Sequence, residues 1–150
     1  MAVSLTPYLH FGTEARAAME FYHSVFGGDL QAMTFADFKM EIDPAEADLI
    51  MHSFLATGIG LDLMGSDTPS RMTRPTGSSV TLSLSGHSCD EATLRGYWDK
   101  LSVGATIGAE LADAPWGAKF GQLTDKFGIQ WLVNIAADEA PASGGADLPA

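Results

Sequence analysis

The sequence predicts an α+β fold made of one unit used twice, a strand, a helix and three strands. Two observations carry this. Along the 150 residues, apolar spacing passes from alternation to i, i+3, i+4, i+7 and back, in the same order twice. The two halves also match where that order lines up. At an offset of 76, Phe21-Tyr22 meets Tyr97-Trp98, Val25 meets Leu101 and Gly28 meets Gly104. At an offset of 68, Gly60-Leu61 meets Gly128-Ile129 and His52 meets Phe120. Two βαβββ modules, about 4–66 and 77–136, would form a single domain over 1–137. Each would curl a mixed sheet over one helix, and the two sheets would face each other across a cleft.

The elements follow from local signals. "TPYLHF" alternates and predicts a first strand over 4–11, placing Tyr8 and His10 on one face. Thr13 is a suitable N-cap for a helix over 14–26, whose apolar stripe is Ala15, Ala18, Met19, Tyr22, Val25 and Phe26. Gly27-Gly28 stops it. Strands follow over 29–36, 48–56 and 60–65, with the acidic "KMEIDPAEAD" as an exposed loop and a glycine-centred turn before "GLDLMG". The Ser/Thr/Pro-rich "SDTPSRMTRPTGSS" is a connector. The second module reads as strand "SVTLSLSG", a helix capped by Ser88 with Glu91 three residues on, and strands over 106–112, 118–125 and 129–136. The tail from Asp138 is too poor in apolar residues to order itself.

Composition narrows the function. Eight Lys+Arg stand against 19 Asp+Glu, a net charge of −11, so there is no basic stripe for nucleic acid or anionic lipid. A single cysteine, Cys89, excludes an intrachain disulfide and a cysteine-based zinc cluster. The N-terminus lacks the charged and apolar regions of a signal peptide, and no window is apolar enough to span a bilayer, so the expected compartment is the cytoplasm.

Several residues are candidates for a site. His52, mid-strand among apolar neighbours, reads either as a histidine satisfied by a hydroxyl or backbone partner, or as a ligand-contacting or acid–base group. His10 shares the parity of Tyr8 and is a second candidate, whereas His23 and His87 are expected in solvent. Tyr8, Trp116, Phe120 and Trp131 could wall an apolar pocket. Asp62 has a parity that could aim it at the cleft, with His52 or Arg71 as partner, or it is simply solvated. Arg71 and Arg74 bracket the connector and are two of few positive charges. "TDKFG" reads as a hairpin turn in which Asp125 bonds backbone amides and Gly128 takes positive φ.

Three blocks, "TPYLHFGTEARAAMEFYHSVFGG", "IMHSFLATGIGLDLMGSD" and "FGQLTDKFGIQWLVNI", resemble the vicinal oxygen chelate superfamily. This is the glyoxalase/bleomycin-resistance/extradiol-dioxygenase group of paired βαβββ modules, and within it the blocks resemble the PhnB-like subgroup, often labelled 3-demethylubiquinone methyltransferase-like. The resemblance covers roughly residues 4–136. It implies homodimerisation and a small-molecule cleft, and in the superfamily's enzymes a divalent metal held by His and Glu. The ligand positions it implies fall near Thr6, at His52, near Ser79 and at Leu132. Only His52 is a good ligand among them; His10 with His52, aided by Asp62 or Tyr8, would be an atypical set. The expectation is therefore a protein that binds a small, partly aromatic or apolar ligand without a metal or other cofactor. Its site residues would be Tyr8, His10, His52, Asp62, Trp116, Phe120 and Trp131. The alternatives are a lyase, isomerase or dioxygenase using His52 as base or metal ligand, and a dimeric scaffold whose cleft is filled by its own side chains.

Overall fold

The computed structural model describes residues 4–40, 42–74 and 79–137. The chain divides into two compact units, residues 1–77 and 78–150. The first runs β1 (Tyr8–His10), α1 (Ala15–Phe26), β2 (Asp29–Thr34), a single 3-10 turn (Pro44–Glu46), β3 (Ile50–Ala56) and β4 (Leu63–Ser66). The second runs β5 (Leu82–His87), a 3-10 turn (Ser88–Asp90), α2 (Glu91–Leu101), β6 (Thr106–Asp113), β7 (Lys119–Thr124) and β8 (Gln130–Ala136). The sheets are ordered β1-β4-β3-β2 and β5-β8-β7-β6. In each, the first strand lies parallel to the last and the other neighbours are antiparallel. Two mixed-sheet βαβββ modules, an α+β fold, are what the sequence predicts.

Strand edges shift for local reasons. The strand expected over 4–11 shrinks to three residues: Pro7 has no N–H to give the ladder, although its carbonyl still accepts from Met64 N at 2.9 Å. β2 stops at Thr34, where Thr34 and Asp37 exchange backbone-to-side-chain bonds of 2.8 and 3.0 Å in a turn. Residues 75–78 of the connector and the expected tail 138–150 lie outside the described residues.

In the first unit, α1 buries the predicted stripe, from Ala15 to Phe26. It lies on the face of the sheet that carries Leu9, Phe11, Leu55 and Leu63. Gly65 allows the close approach there: a Cβ would stand a tight 3.2 Å from Met19 Sδ and 3.3 Å from both Leu9 O and the Phe11 ring. Its cross-strand partner Ser53 is buried on the same face and donates through Oγ to Gly65 O at 2.7 Å. Strand residues of the other parity, Tyr8, His10, His52, Phe54 and Met64, must then point away from the helix.

The start of α1 departs from expectation. Thr13 does not cap it. The anchor is Asp67, just past β4 and 5% exposed. Its Oδ1 accepts from Ala15 N at 2.8 Å, and its Oδ2 accepts from Ile50 N at 2.9 Å. Asp67 N in turn donates to Ile50 O at 2.8 Å. One carboxylate thus satisfies an unpaired amide of the helix N-terminus, where negative charge is favoured, and fixes the entry of β3. At the other end, Gly27 N donates to His23 O, and Gly28 has φ 91° with its would-be Cβ only 2.3 Å from Ala56 O, so no side chain fits.

Glu14 gives a pH signature. The Thr13 amide, donating to Glu14 Oε2 at 2.7 Å, holds its carboxyl below the usual glutamate range, with a smaller push from Arg74. A depressed folded-state value contributes stability above the unfolded pKa, lost as pH falls through the folded one. Glu14 is exposed, so the effect is small. The wild-type melting temperature should fall slightly further than that of Glu14→Gln on acidification below about pH 4.3, with the two in parallel above it, as read by calorimetry.

In the second unit, α2 buries Leu94, Trp98 and Leu101. Two strand glycines make room: a Cβ at Gly86 would meet Leu94 Cδ1 at 2.9 Å, and one at Gly121 would meet Trp98 Cη2 at 2.8 Å. The helix-facing side therefore carries Gly86, Gly121, Leu84, Leu123, Val133 and Ile135, linked by register. The expected cap, Ser88 with Glu91, moves one residue. His87 N donates to Asp90 Oδ2 at 3.1 Å, and Glu91 instead pairs with Arg95 at 2.7 Å. The Arg95 bond holds the Glu91 carboxyl below its ordinary range. The "TDKFG" turn forms as read: Asp125 Oδ1 accepts from Phe127 N and Ile129 N at 2.8 and 3.0 Å, and Gly128 has φ 89°.

Candidate functional site on the first sheet

The helix-free face of the first sheet brings three sequence candidates together. Tyr8 and His10, two apart on β1, project to that face, and their rings lie 5.2 Å apart. His52 projects to it from β3, stacked on the Tyr8 ring at 5.7 Å. Tyr8 Oη and His52 Nδ1 are 3.2 Å apart, within hydrogen-bond distance. Register adds Met64 opposite Tyr8, Phe54 opposite Met64, and Met33 opposite His52. The result is a polar pair framed by apolar and polarizable side chains. Tyr8 is 39% exposed and His10 is exposed, so the group is accessible, while His52 is half-buried.

The pair has a defined chemistry. If the phenol donates to Nδ1, His52 presents its Nε2–H outward and the phenol oxygen keeps lone pairs to accept. If Nδ1–H donates instead, Nε2 becomes the outward acceptor and the phenol the donor. Either way the pair offers one donor and one acceptor. The bland alternative for His52, satisfaction by a hydroxyl, and the functional one thus coexist in a single contact.

Other expected site residues lie elsewhere. Asp62 does not approach His52 or Arg71 as a partner: its Oδ1 accepts from Thr57 N and Thr57 Oγ1 at 2.9 and 3.2 Å, closing the β3–β4 turn. Phe120 and Trp116 meet edge-on at 5.5 Å in the second unit, with Trp116 half exposed. Trp131 is a correction. It is 2% exposed, pairs with Leu123, and donates from Nε1 to Asp125 Oδ2 at 2.9 Å. Phe120 pairs with Asn134, so Phe120 and Trp131 occupy opposite faces of one sheet, and Trp131 belongs to the core under α2. Asn134, absent from the expected set, sits on the Phe120 face instead.

Comparison with known proteins places this arrangement. The model of the Glyoxalase/Bleomycin resistance protein/Dioxygenase superfamily matches residues 5–133. The chain belongs to that superfamily. Protein YjdN of Escherichia coli (strain K12) is 28% identical over 144 residues, which is 90% of this chain and 97% of that protein. The crystal structure of protein PA1353 from Pseudomonas aeruginosa superposes with a TM-score of 0.79 at 33% identity, covering 91% of this chain and 100% of that one. The PhnB protein of Bacillus cereus shares the fold, with a TM-score of 0.70 at 23% identity over 89% of this chain and 100% of that one. The superfamily that the sequence blocks resemble is the one found.

The superfamily's enzymes, by the likeness drawn above, hold a metal with His and Glu. The residues at those positions here do not fit. Thr6 and Ser79 offer neutral hydroxyls and Leu132 offers no donor, so His52, whose Nε2 is left outward by the Tyr8 contact, is the one good ligand of the four positions, too few to hold a divalent metal. Among the described residues, no three His, Cys, Asp or Glu side chains form a group that could hold a metal ion. Among them too, no helix is long and apolar enough to cross a membrane.

Proposed function

We propose that this member of the superfamily binds a small, partly aromatic or apolar molecule on the helix-free face of its first sheet, without a metal in the contact. Tyr8 and His52 supply the paired donor and acceptor, and His10 stands against the same ring. The observation that supports this is the 3.2 Å Tyr8–His52 contact with the His10 ring 5.2 Å from Tyr8. A thermal-shift screen of small heteroaromatic compounds tests it. Hits should raise the melting temperature of the wild type. Tyr8→Phe should bind the same hits about tenfold more weakly, the worth of one hydrogen bond in a partly buried site, and His52→Ala should lose them. A screen without hits, or hits indifferent to both variants, contradicts the proposal. The likeness to the family carries a homodimer into it as well, which the mass from light scattering reads directly.

A second reading draws on the same contact. A phenol that fixes the imbidazole of His52 is the arrangement a general base needs, which would make the chain a lyase or isomerase acting on the bound molecule. It predicts turnover that disappears in His52→Gln while binding persists.

A further inference from the structure

The first sheet carries two side chains whose chemistry the proposed binding leaves unused, the thioethers of Met33 and Met64. Register places them on either side of the Tyr8–His52 contact. In the sheet order β1-β4-β3-β2, Tyr8 on β1 and His52 on β3 are separated by β4, so their contact passes over that strand. Met64 is the β4 residue paired with Tyr8, and Met33 is the β2 residue paired with His52. Both are half-buried. Strands favour β-branched and aromatic residues, so strand preference alone does not select a thioether at both flanks.

A thioether is apolar and polarizable and makes favourable contacts with aromatic rings, which suits it to an apolar or aromatic ligand. It is also the apolar side chain that a hydroperoxide converts into a polar one. Met19 provides the contrast within the same unit. It is fully buried on the helix side of the sheet, against Gly65.

We infer that Met33 and Met64 are oxidation sites whose conversion to methionine sulfoxide closes the Tyr8–His52 face to apolar ligands, an inference that rests on the binding proposed above. The co-reactant is a hydroperoxide. One of its oxygens bonds to sulfur, the O–O bond breaks, and the proton passes to the leaving oxygen, which departs from hydrogen peroxide as water. Sulfur loses two electrons and the peroxide gains them. Each sulfoxide then sets a polar S=O group where the ligand had met a thioether, and covering that group without a donor weakens binding. Sulfoxide reductases reverse the change, so the modification is a reversible one.

Mild treatment of the full chain with hydrogen peroxide tests this, in a Cys89→Ser background because that exposed thiol would also be oxidised. Peptide mapping by mass spectrometry should find sulfoxide at Met33 and Met64, as well as at the exposed Met40 and Met72, with Met19 still reduced. The oxidised protein should bind indole about tenfold more weakly than the untreated protein. Met40→Leu/Met72→Leu should keep that response to peroxide. Met33→Leu/Met64→Leu should lose it, with one indole affinity before and after treatment. Met33 and Met64 left unmodified once Met40 and Met72 are fully converted overturns the inference, and neither observation needs a variant of this face to fold. Indole unbound before peroxide is a failure of the proposed binding, whereas indole bound equally before and after is a failure of this inference alone.

Discussion

Asp67→Ala should lower the stability of the fold by about 3–5 kcal/mol, because it removes a charged acceptor from two backbone amides that stay buried. Those amides, Ala15 N and Ile50 N, have the Asp67 carboxylate as partner at 2.8 and 2.9 Å. Domains of this size are stable by only about 5–15 kcal/mol, so the loss is a large share of the total. Urea unfolding followed by circular dichroism measures it. Asp67→Asn keeps one accepting oxygen and turns an NH2 group toward the other amide, so it should be intermediate. If Asp67→Ala costs less than about 1 kcal/mol, the carboxylate does not hold α1 to β3.

The second large effect belongs to Asp125 in the β7–β8 turn, which is 4% exposed. Its carboxylate accepts from Phe127 N, Ile129 N and Trp131 Nε1. Removing the acceptor of all three bonds in Asp125→Ala should cost about 2–4 kcal/mol, less than three separate bonds because the exposed end of the turn can recruit water. Trp131→Phe, which keeps an aromatic ring but loses the indole donor and part of a buried bicyclic side chain, should cost about 2–4 kcal/mol. The two variants share a contact, so their effects should not add; a double variant that loses their full sum would contradict the bond between them.

These two aspartates show how far the sequence could be read. Asp125 acts within six residues of itself, inside "TDKFG", and a turn of that composition announces its own bonding. Asp67 reaches partners 52 and 17 residues away, so nothing in "SDTPS" reveals it, whereas Thr13 beside the helix has the local signature of a cap. The site shows the same division. Tyr8 and His10 share a strand, so alternation alone aligned them. Placing His52 beside them needed only the parity of β3, and the sheet order then brought it within reach of Tyr8. Trp131 belongs to the core face because the β7–β8 register pairs it with Leu123, and its parity can be compared with that of Phe120 only once that register is known. Asn134 is the one polar residue in the apolar run "WLVNIA", and its face follows only from the pairing of β8 with β7. Local chemistry was readable; contacts set by register and by sequence-distant pairing were not.

The most direct test of the binding face is an NMR titration of the histidine ring signals with indole. The chain has four histidines, and His23 on α1 and His87 at the end of β5 lie on neither strand of the Tyr8 group and serve as internal controls. The predicted result is that the ring signals of His10 and His52 move together and saturate, that those of His23 and His87 stay in place, and that Tyr8→Phe weakens the response. Four unmoved rings at saturating indole, or His23 and His87 moving as far as His10 and His52, would contradict a ligand site built on Tyr8, His10 and His52.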